Sequence, residues 1–271
     1  MGRLDLSLLG TPGVRHAGQP LVFPTRKVLA LLIYLVVEGG RPSREKLTTL
    51  FWPESEEGPA RASFRRALAL LRQALGETAA LPHLIVEGEA LGFDFTSDCA
   101  CDLHSLQMAA QATHSAEQVS PGLIERLRSA ATLYRGNFLD GFSLPDAPDF
   151  DDWVRFQRER WHHQMEELFD QLTQLQEEAG AIAGALETAS RWRRYSPFNE
   201  QVYLRLMHLH FVAGDRSAAL HVYADCRSML ATEFHAVPTP ETEALAHPDR
   251  AARRHLFWKA PSLGEMPSTR P

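Results

Sequence analysis

The sequence predicts a mainly α fold, with a small α+β region at the N-terminus followed by a region that is nearly all helix. Three observations carry this expectation. Leu4, Leu6 and Leu8 alternate with Asp5 and Ser7, the period of a half-buried strand. From about residue 98 onward, helical segments follow one another, punctuated by Pro and Gly. Within that region residues recur at a spacing of 34: Ala179-Gly180 with Ala213-Gly214, Phe169 with Tyr203, Leu172 with Leu206, Ala185 with Ala219.

The elements follow in order. After the first strand, TPGVRHAGQP reads as a turn, and Leu21-Val22-Phe23 as a second short strand. Thr25 caps a first helix that runs to about Glu38 and stops at Gly39-Gly40. Ser43 caps a second helix, SREKLTTLFW, ended by Pro53. Pro59 suits the opening turn of a third helix and Gly76 its end. HLIV and LGFDF flank EGEA as a hairpin. Helices are then expected over residues 102–113, 121–135, 148–179, 181–194, 199–213 and 215–233, with a loose tail after them. The spacing of 34 is the tetratricopeptide period: small Ala219 and Cys226 let two helices approach, and Tyr203, Leu206 and Tyr223 fill the groove between them.

Charge is unevenly spread. The total is −6, but residues 1–97 hold 11 Lys and Arg against 10 Asp and Glu, and residues 21–76 hold 9 against 5. A locally basic domain beside an acidic one suits a polyanionic partner better than the total suggests. The three cysteines, Cys99, Cys101 and Cys226, make no disulfide framework. MGRLDLSLLG has no signal-peptide pattern, and the longest apolar run, VLALLIYLVV, is too short to span a bilayer. A cytoplasmic protein without a membrane partner is expected. His162-His163 and Cys99-Ala100-Cys101 lack a partner pair at metal-site spacing, so no metal and no cofactor are expected. No GxxxxGK[ST] or GxSxG occurs, and no nucleophile pairs with a base, so no catalytic residue is assigned. Trp153, Trp161 and Phe156 read as core.

The third helix, PARASFRRALALLRQALG, carries four arginines and no acid from Pro59 to Gly76. At about 100° per residue, Phe64, Leu68, Leu71 and Leu75 form one stripe, Arg61, Arg65 and Arg72 cluster beside it, and Arg66 lies further round. By pattern alone this is a solvated face. Its place as third helix in a strand–helix–helix–helix–hairpin order is the plan of a winged helix, whose third helix enters the DNA major groove.

The stretches RKVLALLIYLVVEGGRPSREKLTTLFWPES and ARASFRRALALLRQALG resemble the OmpR-type winged-helix domain of the Streptomyces antibiotic regulatory protein family. YRGNFLDGF, DFDDWVRFQRER and PFNEQVYLRLMHLHFVAGDRSAALHVYADCRSMLATEF resemble that family's bacterial transcriptional activation domain, built of tetratricopeptide-like helices. The resemblance implies an N-terminal α+β winged helix over residues 1–97, an all-α tetratricopeptide-like domain over 98–247 and a tail over 248–271. It implies a non-enzymatic transcriptional activator that binds double-stranded promoter DNA at direct repeats, as a homodimer or higher assembly, and recruits RNA polymerase. Carried over by position, Arg61, Arg65, Arg66 and Arg72 are the recognition-helix candidates, Arg26 and Lys27 hold phosphate, and Ser43 and Arg44 place an anion at the start of the second helix. Glu54, Glu56 and Glu57 occupy the loop that faces polymerase, with a plain solvated turn as the other reading. The acidic tip with Glu87 and Glu89 departs from the family's basic or neutral wing. The alternative function is a protein-interaction module whose repeats bind a partner while the winged helix binds no DNA. The resemblance fits both a short stand-alone regulator and a piece of a longer one.

Overall fold

In the computed structural model, which describes residues 3–76, 83–114 and 120–247, the first strand, β1 (Leu4–Ser7), is the hub of the N-terminal sheet. It pairs antiparallel with β2 (Gly13–His16), which pairs antiparallel with β3 (Gln19–Pro20). On its other edge β1 pairs parallel with β6 (Cys99–Cys101), in the register Leu4 to Cys99. The alternation expected at the start holds: Leu4, Leu6 and Leu8 are buried, and Asp5 and Ser7 are half-buried.

The second strand is not Leu21–Phe23. The TPGVRHAGQP segment, expected to be a turn, instead contains β2 and β3 around the two-residue turn Ala17-Gly18, both at positive φ (51° and 76°). Its Gly and Pro content hid a strand held by buried Val14.

Three helices follow: α1 (Arg26–Glu38), α2 (Arg44–Phe51) and α3 (Glu57–Leu75). Thr25 Oγ1 accepts from the Val28 N–H and Ser43 Oγ from the Lys46 N–H, so both expected caps form. Gly39 and Gly76 close α1 and α3 in the left-handed region. α3 begins at Glu57, two residues before Pro59. Proline is tolerated there because a first-turn N–H has no intrahelical acceptor to lose. β4 (Leu84–Glu87) and β5 (Ala90–Phe93) form the hairpin, with Gly88 at φ 56° in its two-residue turn.

Helices continue as α4 (Asp102–His114), α5 (Pro121–Thr132), α6 (Pro148–Glu178), α7 (Ile182–Tyr195), α8 (Glu200–Val212), α9 (Arg216–Glu233) and α10 (Pro240–Ala246). The protein is thus mainly helical, with its strands near the N-terminus. The last helix was not expected, although Thr239 as cap and Pro240 at the first position mark it. The expected loose tail lies outside the described residues.

The chain forms two compact units that divide between Leu168 and Phe169. The first extends well past residue 97 because the start of α6 packs on α1 and α2. Tyr34 lies 5.0 Å from Trp153 and Phe51 lies 5.2 Å from Phe150, ring centre to ring centre. Arg158 donates to the carbonyls of Phe138, Leu139 and Phe142 and fixes the loop before α6. Trp161 is core, as expected, whereas Phe156 is 68% exposed. Gly10 (φ +112°) and Gly136 pass so closely that a Cβ on Gly136 would lie 3.2 Å from the Gly10 Cα.

In the second unit, α7 packs on α8 and α8 on α9. Ala185, Ala189, Ala219 and Cys226 are fully buried at these contacts, as are most of Phe169, Leu172, Tyr203 and Leu206. Gly180 and Gly214, the glycines that repeat in the sequence, both sit at positive φ (73° and 78°) where one helix ends and the next begins. Arg205 pairs with Asp170 at 2.7 Å, and His208 meets Glu177 at 2.7 Å.

His83, at the start of the hairpin, is buried against Phe93, and its Nδ1 lies 2.9 Å from Ser97 Oγ. Burial, helped by nearby His16, holds its pKa below 6.5, against the opposing pull of Asp94 and Asp98. As pH falls through 6.5 the unfolded chain takes up a proton that the folded state resists, so stability is lost in that direction. Urea unfolding of the wild type against His83→Gln should show this acid-side loss shrinking in the variant; an identical pH profile would contradict it.

Candidate nucleic-acid interface

The basic face of α3 follows from its apolar face. Ala60, Phe64, Ala67, Leu68, Leu71 and Leu75 are all buried, which turns Arg61, Arg65, Arg66 and Arg72 to solvent. Phe64 anchors the stripe against Trp52, 6.3 Å away between ring centres.

The four arginines do not share one surface. Arg61 and Arg65 line a groove of about 630 Å³ together with Ser43, Arg44 and Thr48 of the second helix and Glu89 of the hairpin tip. Arg66 lines a separate groove with Arg26, Lys27 and Trp52. Arg61 is paired with Glu57 one turn earlier, at 2.5 Å, a partner supplied by the two extra residues at the start of α3. Arg65 and Arg66 have no ion-pair partner among the described residues.

The start of α2 is tied to the hairpin. The Arg44 N–H donates to the Glu89 carbonyl (2.8 Å) and the Leu91 N–H to the Pro42 carbonyl (3.1 Å), forming a bridge between Ser43 and Ala90. With the Lys46 N–H on Ser43 Oγ (3.1 Å), two of the N–H groups expected to receive an anion are already taken. What remains toward the groove is the Arg44 side chain, whose Nε is buried and meets no acceptor.

Arg26 and Lys27 are engaged with the protein itself. Lys27 Nζ pairs with Asp146 at 2.9 Å, donates to the Phe51 carbonyl at 2.5 Å and lies over the Trp52 ring. Arg26 donates to the Gly141 carbonyl at 3.3 Å and lies over Phe142. Glu54 and Glu56 are exposed in the link between α2 and α3, whereas Glu57 lies in the helix.

The acidic tip is partly neutralised. Glu87 forms an ion pair with Arg41, a residue of the link between α1 and α2 that sequence reasoning missed. Glu89 and Glu45 remain acidic on the groove wall. Among the described residues, no group of three or more His, Cys, Asp or Glu is placed to hold a metal, and no helix is long and apolar enough to cross a membrane. His162 and His163 pair along their own helix with Glu166 and Glu167.

Comparison with known proteins places this geometry in context. The chain is similar to the transcriptional regulatory protein EmbR of Mycobacterium tuberculosis, with 26% identity over 254 residues, covering 90% of this chain and 62% of EmbR. It is equally similar to the regulatory protein AfsR of Streptomyces coelicolor, with 26% identity over 268 residues, covering 98% of this chain and 25% of AfsR. It therefore spans less than two thirds of either relative. The solved structure of M. tuberculosis EmbR in complex with a low-affinity phosphopeptide shares the fold, with a TM-score of 0.67 at 22% identity over 94% of this chain and 66% of that one. Residues 101–248 match the bacterial transcriptional activator domain. That match takes in more than half of the sequence, and the chain belongs to the bacterial transcriptional activator domain family.

Proposed function

We propose that the chain is a transcriptional activator that binds double-stranded promoter DNA by seating α3 in the major groove. In this reading residues 1–97 act as a winged helix of the OmpR type, with β4–β5 as the wing. The observation that carries the reading is the α3 surface: Arg61, Arg65 and Arg72 stand exposed along one side of a buried stripe, and Arg61 and Arg65 lie beside the start of α2 and the hairpin tip. Arginine suits this position because its fork pairs with guanine O6 and N7 or with phosphate. Arg44, half-buried on the wall of the same groove as Arg61 and Arg65, is the candidate phosphate contact of the second helix. Arg26 and Lys27 hold the protein's own carbonyls and are left out of the DNA-contacting set.

Residues 98–247 serve in this proposal as a tetratricopeptide-like platform for self-association on direct repeats and for RNA polymerase. Exposed Glu54 and Glu56 are its candidate contact to polymerase from the winged helix. Glu45 and Glu89 on the groove wall favour the alternative, a protein-binding module that leaves DNA alone.

Salt separates the two. If about four to six phosphates are neutralised, the log–log dependence of DNA affinity on salt has a slope of roughly −4 to −5. A duplex selected from a random pool by the full chain should show that slope in fluorescence anisotropy. Failure to select any duplex, or an affinity indifferent to salt, would favour the protein-binding alternative.

A further inference from the structure

The groove that contains Arg66 has a different character from the one that contains Arg61 and Arg65. It measures about 420 Å³ and lies wholly within the first compact unit. Val28 and Leu144 form its buried floor, and half-buried Trp52 and Leu70 form its walls. A phosphate backbone gains nothing from such a floor, whereas an apolar side chain does.

The rim is positive and under-compensated. α1 starts here with Arg26 and Lys27, and it has no acid in its first turn. Cations at a helix N-terminus oppose the positive end of the helix dipole, so this arrangement works against the free protein. One carboxylate, Asp146, answers it, and that group is taken up by Lys27. Arg66 brings a further cation without an ion-pair partner among the described residues. The groove thus offers an apolar floor under an excess of positive charge.

We propose that this groove docks an acidic, amphipathic segment of a partner protein, with a large apolar side chain seated between Trp52 and Leu70 and its carboxylates against Arg66 and Arg26. The docked carboxylates relieve the crowding of like charge at the start of α1, and the apolar anchor supplies contact area. This surface goes beyond the DNA-binding reading and stands without it, because Arg66 lies about 100° or more around α3 from Arg61, Arg65 and Arg72.

The test is selection of a random dodecapeptide phage library on the full chain. A fluorescein-labelled copy of the winning peptide is then titrated by anisotropy. The expected winners combine Asp or Glu with Leu, Phe or Trp, and they lose at least about tenfold in affinity to Arg66→Glu while keeping it for Arg65→Glu. Leu70→Lys should weaken them comparably, and a DNA duplex should not displace them. Circular dichroism confirms that each variant is folded; Arg66 is exposed, so its variant alone decides if Leu70→Lys is not. Winners without acidic residues, no winners at all, or equal binding to Arg66→Glu would overturn the proposal. Displacement by the duplex would also overturn it, and would assign the groove to nucleic acid.

Discussion

Replacing Asp102 with Ala is expected to destabilise the first compact unit by about 2–6 kcal/mol, a large part of the ~5–15 kcal/mol typical of a folded domain. The Asp102 carboxylate is buried and accepts from the N–H groups of Leu8 (2.7 Å), Leu9 (2.9 Å) and Leu103 (2.9 Å), and from Arg135 at 2.9 Å. It therefore joins the end of β1, the start of α4 and the loop after α5. Burial pushes its pKa above the usual carboxylate range, while the N–H groups and the guanidinium pull in the opposite direction. Alanine would leave two buried N–H groups beside β1 unsatisfied, at about 1–3 kcal/mol each, and would free the Arg135 guanidinium. Asn, which keeps one acceptor oxygen, should cost less. Urea unfolding followed by tryptophan fluorescence would check this, and a loss below about 1 kcal/mol for Ala would show that the hub is dispensable.

The second large effect concerns binding. The double substitution Arg61→Glu, Arg65→Glu is expected to lower affinity for duplex DNA by roughly a hundredfold to a thousandfold, since each such contact is worth about 1–3 kcal/mol. Thermal stability should change little. Both side chains are exposed, and the Arg61–Glu57 pair lies at the surface, where such i,i+4 pairs contribute about 0.3–0.5 kcal/mol. Arg66→Glu is the control: on the other groove, it should leave DNA affinity nearly intact. Anisotropy with a selected duplex measures all three proteins, and a double variant that binds like the wild type would show that the wrong face of α3 was chosen.

Much of this was legible in the sequence because it is local. The buried stripe of α3, the Thr25 and Ser43 caps and the glycines that end α1 and α3 rest on spacing and residue type within one element. The repeated Gly180 and Gly214 marked helix ends for the same reason. What escaped was long-range or short. Pairing of β6 with β1 joins residues 95 positions apart, and β6 has only three residues, too few to show a period. Asp102 reaches Leu8 across 94 positions, and its place at the first turn of a helix gives no sign of that. The split of the arginines was half visible: the helical angle set Arg66 apart, but the Trp52–Leu144 groove it faces depends on a loop nearly 80 residues further along the chain. Lys27 looked like a free cation because Asp146 and the Phe51 carbonyl become its neighbours only on folding.

In the proposed function, this chain recognises promoter DNA through the Arg61, Arg65 and Arg72 face of α3. Immunoprecipitation of the full chain from cells, with sequencing of the bound DNA, tests it most directly. The expected result is discrete sites upstream of genes that share one sequence arranged as spaced repeats, and their loss in the Arg61→Glu, Arg65→Glu protein. No enrichment over background, or enrichment that survives the double substitution, would contradict it.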